Sequence, residues 1–489
     1  MSLSTGNSIS CRHIAVTPLS MLPTGLPTFM TARKLATEFK ITITRNLGSG
    51  CKMIPRGRFV ALALFGTFGL IQQATADWPT FRGADRTAVS KETDLLQEWP
   101  AGGPSLLWKA EGFGRGYTSL AIANGRGYLV GDGISGVEDK DEYLICIDIR
   151  DGKRLWATRI GAVWTGHKNL SWQSPRSTPS VDANRVYALS VFGDLICCDV
   201  ETGREHWRKS FERDFGGKKD DSWGYSESVL IDGKQLVCTP GGEKVTMVAL
   251  DKVTGETIWT TVREGDRGAG HASIVISKIG DVRVYVQTTG SGALGVRAND
   301  GKLLWSYPID KTTAVIPTPI IRDDLVFISA GYGRGGALLK QSPDGAGGVA
   351  MSEVYPLKKE LGNKHGGVLL VGDYLYGDTD SSGVPFCANL TTGEIKWNKT
   401  RPSGGSGTFS IAAADGRLYL HFEKGTMVLA KADPEAFVEV SSFTVPGSGD
   451  RPSWAHPVIL DGKLYLRENN MILCYDIREK SSATKSSGN

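Results

Sequence analysis

Several functional classes are excluded by what this chain lacks. The apolar run at residues 59–71 is too short to cross a bilayer. The stretch at 331–336 is rich in Gly but has no strand-to-helix context around it, so it is not a phosphate loop. No His-x-His pair and no carboxylate spacing marks a metal site. Cysteine is sparse, at 8 in 489 residues. What is plentiful is Gly, at 61, with 9% aromatic residues, the composition of a turn-rich globular chain and not of a disordered or membrane-spanning one.

The first 76 residues stand apart. Arg56 and Arg58 precede the apolar run, and Ala74, Thr75 and Ala76 follow it as a small-x-small cleavage site, so residues 53–76 read as a secretory signal peptide. Met53 opens a signal of ordinary length, and residues 1–52 read as an over-called extension. Cleavage after Ala76 leaves Asp77 first and removes eight basic residues and one acidic residue. The remaining chain has 48 Lys and Arg against 51 Asp and Glu, a net charge of −3, which removes any case for nucleic acid. The expected product is exported to the periplasm or an equivalent space, is free of a transmembrane span, and ends in a disordered tail at 480–489.

What is there is a repeat. Five times a Gly is followed four residues later by Trp, at Trp156, Trp207, Trp259, Trp305 and Trp397, each ending a phrase of about a dozen residues. The intervals are 51, 52, 46 and then 92 residues, twice 46, so one copy has decayed but kept its place. Each phrase reads as a hairpin: period-two alternation, then an Asp-x-x-(Thr/Asp)-Gly turn, then a strand carrying Trp. A second hairpin phrase recurs eight times out of step with the first, ending near residues 130, 189, 238, 286, 328, 376, 420 and 466. Two hairpins per unit of this length predict an all-β, eight-bladed β-propeller of four-stranded blades over residues 77–479. The last unit lacks its Trp strand, whereas Leu106, Leu107 and Trp108 copy Leu303, Leu304 and Trp305. The strand around Trp108 is therefore expected to close the ring. Trp108, Trp156, Trp207, Trp259, Trp305 and Trp397 are assigned to docking between blades. Cys146, Cys197, Cys387 and Cys474 share one repeat position and are expected to fill small buried slots rather than form bridges.

The phrase carried by Ala249, Asp251, Thr254, Gly255 and Trp259 resembles the pyrroloquinoline quinone (PQQ) repeat. That repeat builds the eight-bladed quinoprotein alcohol dehydrogenases and also the BamB-type outer-membrane assembly lipoproteins, which are not enzymes. The resemblance implies, for the enzymes, a quinone held between a Trp floor and a disulfide of adjacent cysteines, with calcium and a catalytic Asp. Here Cys197 and Cys198 are the adjacent pair, inside a strand whose successive side chains point to opposite faces. No calcium-ligand motif and no catalytic Asp can be placed. Asp77 stands where a lipoprotein would carry its anchoring Cys.

The loops that lead into the inner strand of each blade align at one mouth of the ring, and they concentrate the polar and aromatic residues that the repeat does not explain. Candidate ligand-binding residues are Arg115, Tyr117, Trp172, Arg176, Trp223, Tyr225, His271, His365, Arg451, Trp454 and His456, with His167 in the insertion before Ser171. Glu227 is the best placed candidate for acid–base catalysis; no catalytic residue is otherwise identifiable, and no metal is assigned. The leading expectation is a binding scaffold of BamB type for a small polar ligand or an exported protein partner, with the site at the funnel face. PQQ-dependent dehydrogenation of an alcohol or sugar is the alternative, and a hydrolase or lyase acting on polysaccharide is the third.

Overall fold

The computed structural model describes residues 77–479 except 135–139, 166–171, 381, 399 and 450. The expected leader and signal peptide, the tail at 480–489 and His167 lie outside the described residues. Eight antiparallel sheets of four strands follow one another around a ring. Blades 1 to 7 span residues 121–162, 180–210, 230–261, 275–308, 320–358, 369–397 and 409–444; blade 8 joins residues 458–476 to Ser105–Glu111. That N-terminal strand pairs antiparallel with Met471–Asp476, setting Trp108 against Cys474, so the ring closes as expected. Phe211–Phe215 is the one α-helix among the described residues.

The repeat phrase makes a seam between blades. In blade 2 the Asp199 carboxylate accepts the Thr202 amide at 2.9 Å and its hydroxyl at 2.8 Å, which shapes the turn. Gly203 then takes φ 72°, and a Cβ there would lie 2.6 Å from the Trp156 ring of blade 1. Glycine is required twice over, by conformation and by the indole packed on it. The indole N–H of Trp156 reaches the Val200 carbonyl of blade 2 at 3.2 Å. The same contact recurs from Trp108 to Ile149, Trp207 to Lys252, Trp259 to Ala298 and Trp397 to Asp433, at 3.0 to 3.2 Å.

Three seams are made differently. Trp305 donates to the Gln341 side chain at 3.1 Å. In blade 5, the decayed copy, Tyr355 lies against Gly393 and its hydroxyl donates to the Leu390 carbonyl at 2.9 Å. In blade 7 the Trp position is Ser441, opposite Leu429. Trp99, from the segment before blade 1, packs there against Tyr419 and Phe443, and the Leu96 amide takes the Ile477 carbonyl at 2.7 Å. The shared cysteine position also has a partner rule. Cys146, Cys197, Cys387 and Cys474 each pair across the sheet with a Tyr on one side and a Trp on the other. In blades 3 and 4 the Tyr is replaced by Val237 or Val286, and the slot holds Ala249 or Gly295. All six described cysteines are buried and free.

A feature outside the repeat occupies the centre of the ring. Residues 77–90 form a hook that pairs Trp78 with Ile122 of blade 1 and joins Ala88 and Ser90 to Ala413 of blade 7. Arg82, Arg86 and Ala88 adopt φ of 65°, 55° and 61°, a left-handed conformation that is costly for side chains with a Cβ. The buried Arg86 guanidinium donates to the carbonyls of Ser228 at 2.9 Å and Ile274 at 3.0 Å, and to Val229. Arg82, equally buried, donates to the Val368 carbonyl at 2.6 Å. Burial pushes both guanidinium pKa values down to about 10, which leaves them charged at neutral pH. Arg82 borders a cavity on either side, one of about 460 Å³ under the loop mouth and one of about 470 Å³ among the inner strands, so the hook separates them.

Candidate functional site

The cavity of about 460 Å³ is built by the loops that enter the inner strands. A propeller places such loops side by side because each inner strand starts at the same end of its blade. Of the sequence candidates, Tyr117, Trp172, Arg176 and Trp223 line one part of it, and His271, His365, Trp454 and His456 line the rest.

Aromatic faces and cations dominate its chemistry. The Trp454 ring lies 4.8 Å from Tyr117 and 4.9 Å from His365 between centroids. The Arg176 guanidinium stands over Tyr117 at 5.3 Å, Trp164 at 5.8 Å and Trp454 at 5.9 Å, a cation–π cage. Its N–H groups reach the carbonyls of Ser174 at 3.0 Å and Trp223 at 3.3 Å, and desolvation lowers its pKa to about 10. Lys364 covers the Tyr332 ring at 5.0 Å. Phe81 and Arg82 of the hook contribute to the lining, Phe81 meeting His456 edge-on at 4.9 Å.

Three histidines differ in environment. Burial pushes His365 down to about 3, helped by Lys364 and Arg176, and pushes His456 down to about 3, helped by Arg82. Both are neutral imidazoles at physiological pH. His365 Nδ1 is 3.3 Å from the Thr408 hydroxyl, whose amide donates to Glu423 at 3.3 Å. His271 is held at both nitrogens, with Nε2 2.7 Å from Asp221 and Nδ1 2.6 Å from the Ser226 hydroxyl. Two buried polar atoms at this site, Trp454 Nε1 and His456 Nδ1, have no hydrogen-bond partner. Such groups mark places where an arriving molecule would gain a bond without displacing one.

The remaining candidates lie elsewhere. Arg115 pairs with buried Asp132 at 2.9 Å. Tyr225 is 3% exposed, stacked edge-on against Phe211 at 5.0 Å, with its hydroxyl on the Pro240 carbonyl. Arg451 stands behind the lining and donates to the Tyr117 hydroxyl at 3.2 Å and the Gln173 carbonyl at 2.5 Å. Glu227 does not line the cavity. It is 2% exposed, between blades 3 and 4, and accepts from the Thr239 amide at 2.7 Å and the Gln287 side chain at 3.2 Å. Burial pushes its carboxyl up to about 8 against those donors. Its neighbour Ser226, in the same loop ahead of the strand Leu230–Asp232, lines the cavity instead. Sequence reasoning missed Ser226, Lys364, Thr408, Glu423 and the hook; the first three lie in the aligned loops and were legible there as polar residues, whereas Glu423 follows the strand Arg417–Phe422.

Fold and funnel define an eight-bladed propeller with a ligand-sized cavity at the loop mouth. A family model described as outer membrane protein assembly factor BamB matches residues 140–399, more than half of the chain, and the protein belongs to this PQQ-repeat propeller family. BamB of Kangiella koreensis is 26% identical over 196 residues, covering 39% of this chain and 44% of the relative. BamB of Xanthomonas campestris pv. campestris is 26% identical over 189 residues, covering 38% and 43%. The matches thus span less than half the length of either relative. Among solved structures, the quinohemoprotein alcohol dehydrogenase from Comamonas testosteroni is similar with a TM-score of 0.53 over 83% of this chain and 81% of its own, at 13% identity. At that identity the likeness is one of fold.

Proposed function

We propose that the protein is an exported binding scaffold whose funnel cavity holds a small, polar, anionic ligand with a flat face. The observation that carries this reading is the convergence of Trp454, Tyr117, Trp223 and Arg176 from separate blades on one space of about 460 Å³. Aromatic faces supply stacking area, Arg176 and Lys364 supply positive charge, and the unpartnered Trp454 N–H and His456 nitrogen supply directional bonds.

Quinone-dependent dehydrogenation fits this chain less well. The aromatic walls and cations suit a flat anion, but among the described residues the cavity lining holds no adjacent cysteine pair and no cluster of metal ligands. Cys197 and Cys198 lie in a sheet opposite Trp207 and Glu205. Glu423 in the lining and Asp221 behind it are engaged with Thr408 and His271, and no group of three His, Cys, Asp or Glu residues suited to a metal exists among the described residues.

The test is titration of the purified protein with monosaccharide acids, aromatic carboxylates, and PQQ with and without calcium, followed by Trp fluorescence and melting temperature. Saturable quenching by an anionic member, lost in Arg176→Ala and Trp454→Ala variants that keep their fold, is the expected result. Quenching by PQQ only with calcium would restore the dehydrogenase reading, and no response to any member would overturn the ligand site. Amino-terminal sequencing of the exported protein should find Asp77 first.

A further inference from the structure

Two loops of the funnel bring a hydroxyl, an imidazole and a carboxylate into one hydrogen-bonded line. Asp221 and Ser226 come from the loop entering blade 3, and His271 from the loop entering blade 4. Ser226 Oγ is 2.6 Å from His271 Nδ1, and His271 Nε2 is 2.7 Å from Asp221 Oδ2. Ser226 and His271 line the cavity, while the Asp221 side chain stands behind the ring and is only 7% exposed.

The polarity of this line follows from its buried end. Burial alone would raise the Asp221 carboxyl, but the His271 ring beside it and the Trp223 amide, donating to Oδ1 at 2.9 Å, hold it below the usual range. Asp221 is therefore a carboxylate and can only accept. With Asp221 accepting at Nε2, the neutral tautomer of His271 that fits this line carries its proton on Nε2 and leaves the Nδ1 lone pair facing the Ser226 hydroxyl. The imidazole is also anchored from its own backbone, where the His271 amide donates to the Val315 carbonyl at 2.8 Å. A nucleophile at the cavity wall, a base behind it and an acid orienting the base are the parts of acyl-transfer machinery, recognised by geometry and not by chain order.

We propose that Ser226, His271 and Asp221 form a hydrolytic site for small carboxylic esters, with acylated sugars as the substrate class. This rests on the reading of the cavity as a ligand site: its aromatic faces would stack a sugar ring, and Arg176, bonded to the Trp223 carbonyl on the same wall, would offset charge on the reacting oxygen. Ser226 Oγ adds to the acyl carbon as its proton passes to His271 Nδ1. The carbon–oxygen bond to the sugar then breaks, and His271 returns the proton to the leaving oxygen. Water adds to the acyl-serine, again losing its proton to His271. The Oγ–carbon bond breaks, Oγ recovers the proton, and the free acid departs.

The experiment uses the purified full-length chain with p-nitrophenyl acetate and an alkyl fluorophosphonate. One adduct on Ser226 by intact mass and peptide mapping is expected, with hydrolysis lowered at least 100-fold in S226A and H271A. In D221N the loss should be of similar size or smaller, because Asp221 orients the base and does not itself react. Equal hydrolysis by wild type and a normally melting S226A, with no adduct, would overturn the proposal. The anion titration run on the wild-type protein beside the labelling separates the two readings: quenching without an adduct or hydrolysis leaves the cavity a binding site with a structural hydrogen-bond line, and absence of all three removes both.

Discussion

The seams between blades and the hub at their centre face the same problem, buried backbone carbonyls, and meet it in opposite ways. At seven of the eight seams a neutral aromatic side chain of one blade donates to an acceptor in the next. At the hub a single hook serves many blades, and Arg86 alone supplies acceptors from blades 3 and 4. A periodic solution tolerates local decay: blade 5 substitutes Tyr355 for Trp, and blade 7 borrows Trp99 and Leu96 from outside. The hub has no such redundancy, because each of its donors occurs once in the chain. Seams are therefore expected to fail locally and the hub globally.

The sharpest way to break this contrast is to remove both supports at once. A chain beginning at Gly114 lacks the hook and the outer strand of blade 8, and it should lose cooperative unfolding altogether; a normal melt would show that the ring closes without either. Next in size is a seam. Trp207→Ala removes a large, partly buried body and its bond to Lys252, and should cost about 3 kcal/mol in urea unfolding. Arg86→Met leaves several carbonyls without donors and should cost about 3 kcal/mol or more. If Arg86→Met costs less than 1 kcal/mol, the hub is a filler rather than a support.

Acid should act at the funnel. His456 is neutral in the folded protein, with its pKa pushed down to about 3, whereas the unfolded chain binds a proton near pH 6.5. Between those values the unfolded state holds more protons, so this contribution is fully present above pH 6.5 and is lost as pH falls. The buried carboxyls Glu142, Glu227 and Asp378, pushed up to about 8, pull in the other direction. The measurement is therefore the stability difference between wild type and His456→Asn, which should shift by about 1 to 2 kcal/mol against wild type from pH 7.5 to pH 5. An unchanged difference would mean that water reaches the imidazole. The smallest effect belongs to the decayed seam, where Tyr355→Phe strands the Leu390 carbonyl and should cost about 1 kcal/mol; a cost as large as that of Trp207→Ala would show that seams are not graded by their donors.

Much of this molecule was legible in its residues because repetition makes physical requirements visible. One Gly or Trp says little, but five Gly-x-x-x-Trp copies at near-constant spacing declare a unit, a turn and a seam. The same logic exposed the closing strand through Trp108 and the funnel through eight alignable loops. It failed where the chain does something once. Trp78, Arg82 and Arg86 belong to no repeat, and the positive φ of Arg82 and Arg86 falls at residues that seldom adopt it, so no local signal marked the hook. Within the loops it could name residues without aiming them: Ser226 and Glu227 are adjacent, yet Ser226 lines the cavity and Glu227 is buried in the blade wall.

By itself the sequence determined the ring, its eightfold count and its manner of closing, since these depend on periodicity and turn chemistry that each unit carries locally. Only the tertiary structure decided that the channel is plugged and that Arg115 is held by Asp132. It also brought His271 between a carboxylate and a hydroxyl. Those outcomes depend on distances between residues far apart in the chain, set by how blades pack around a common axis.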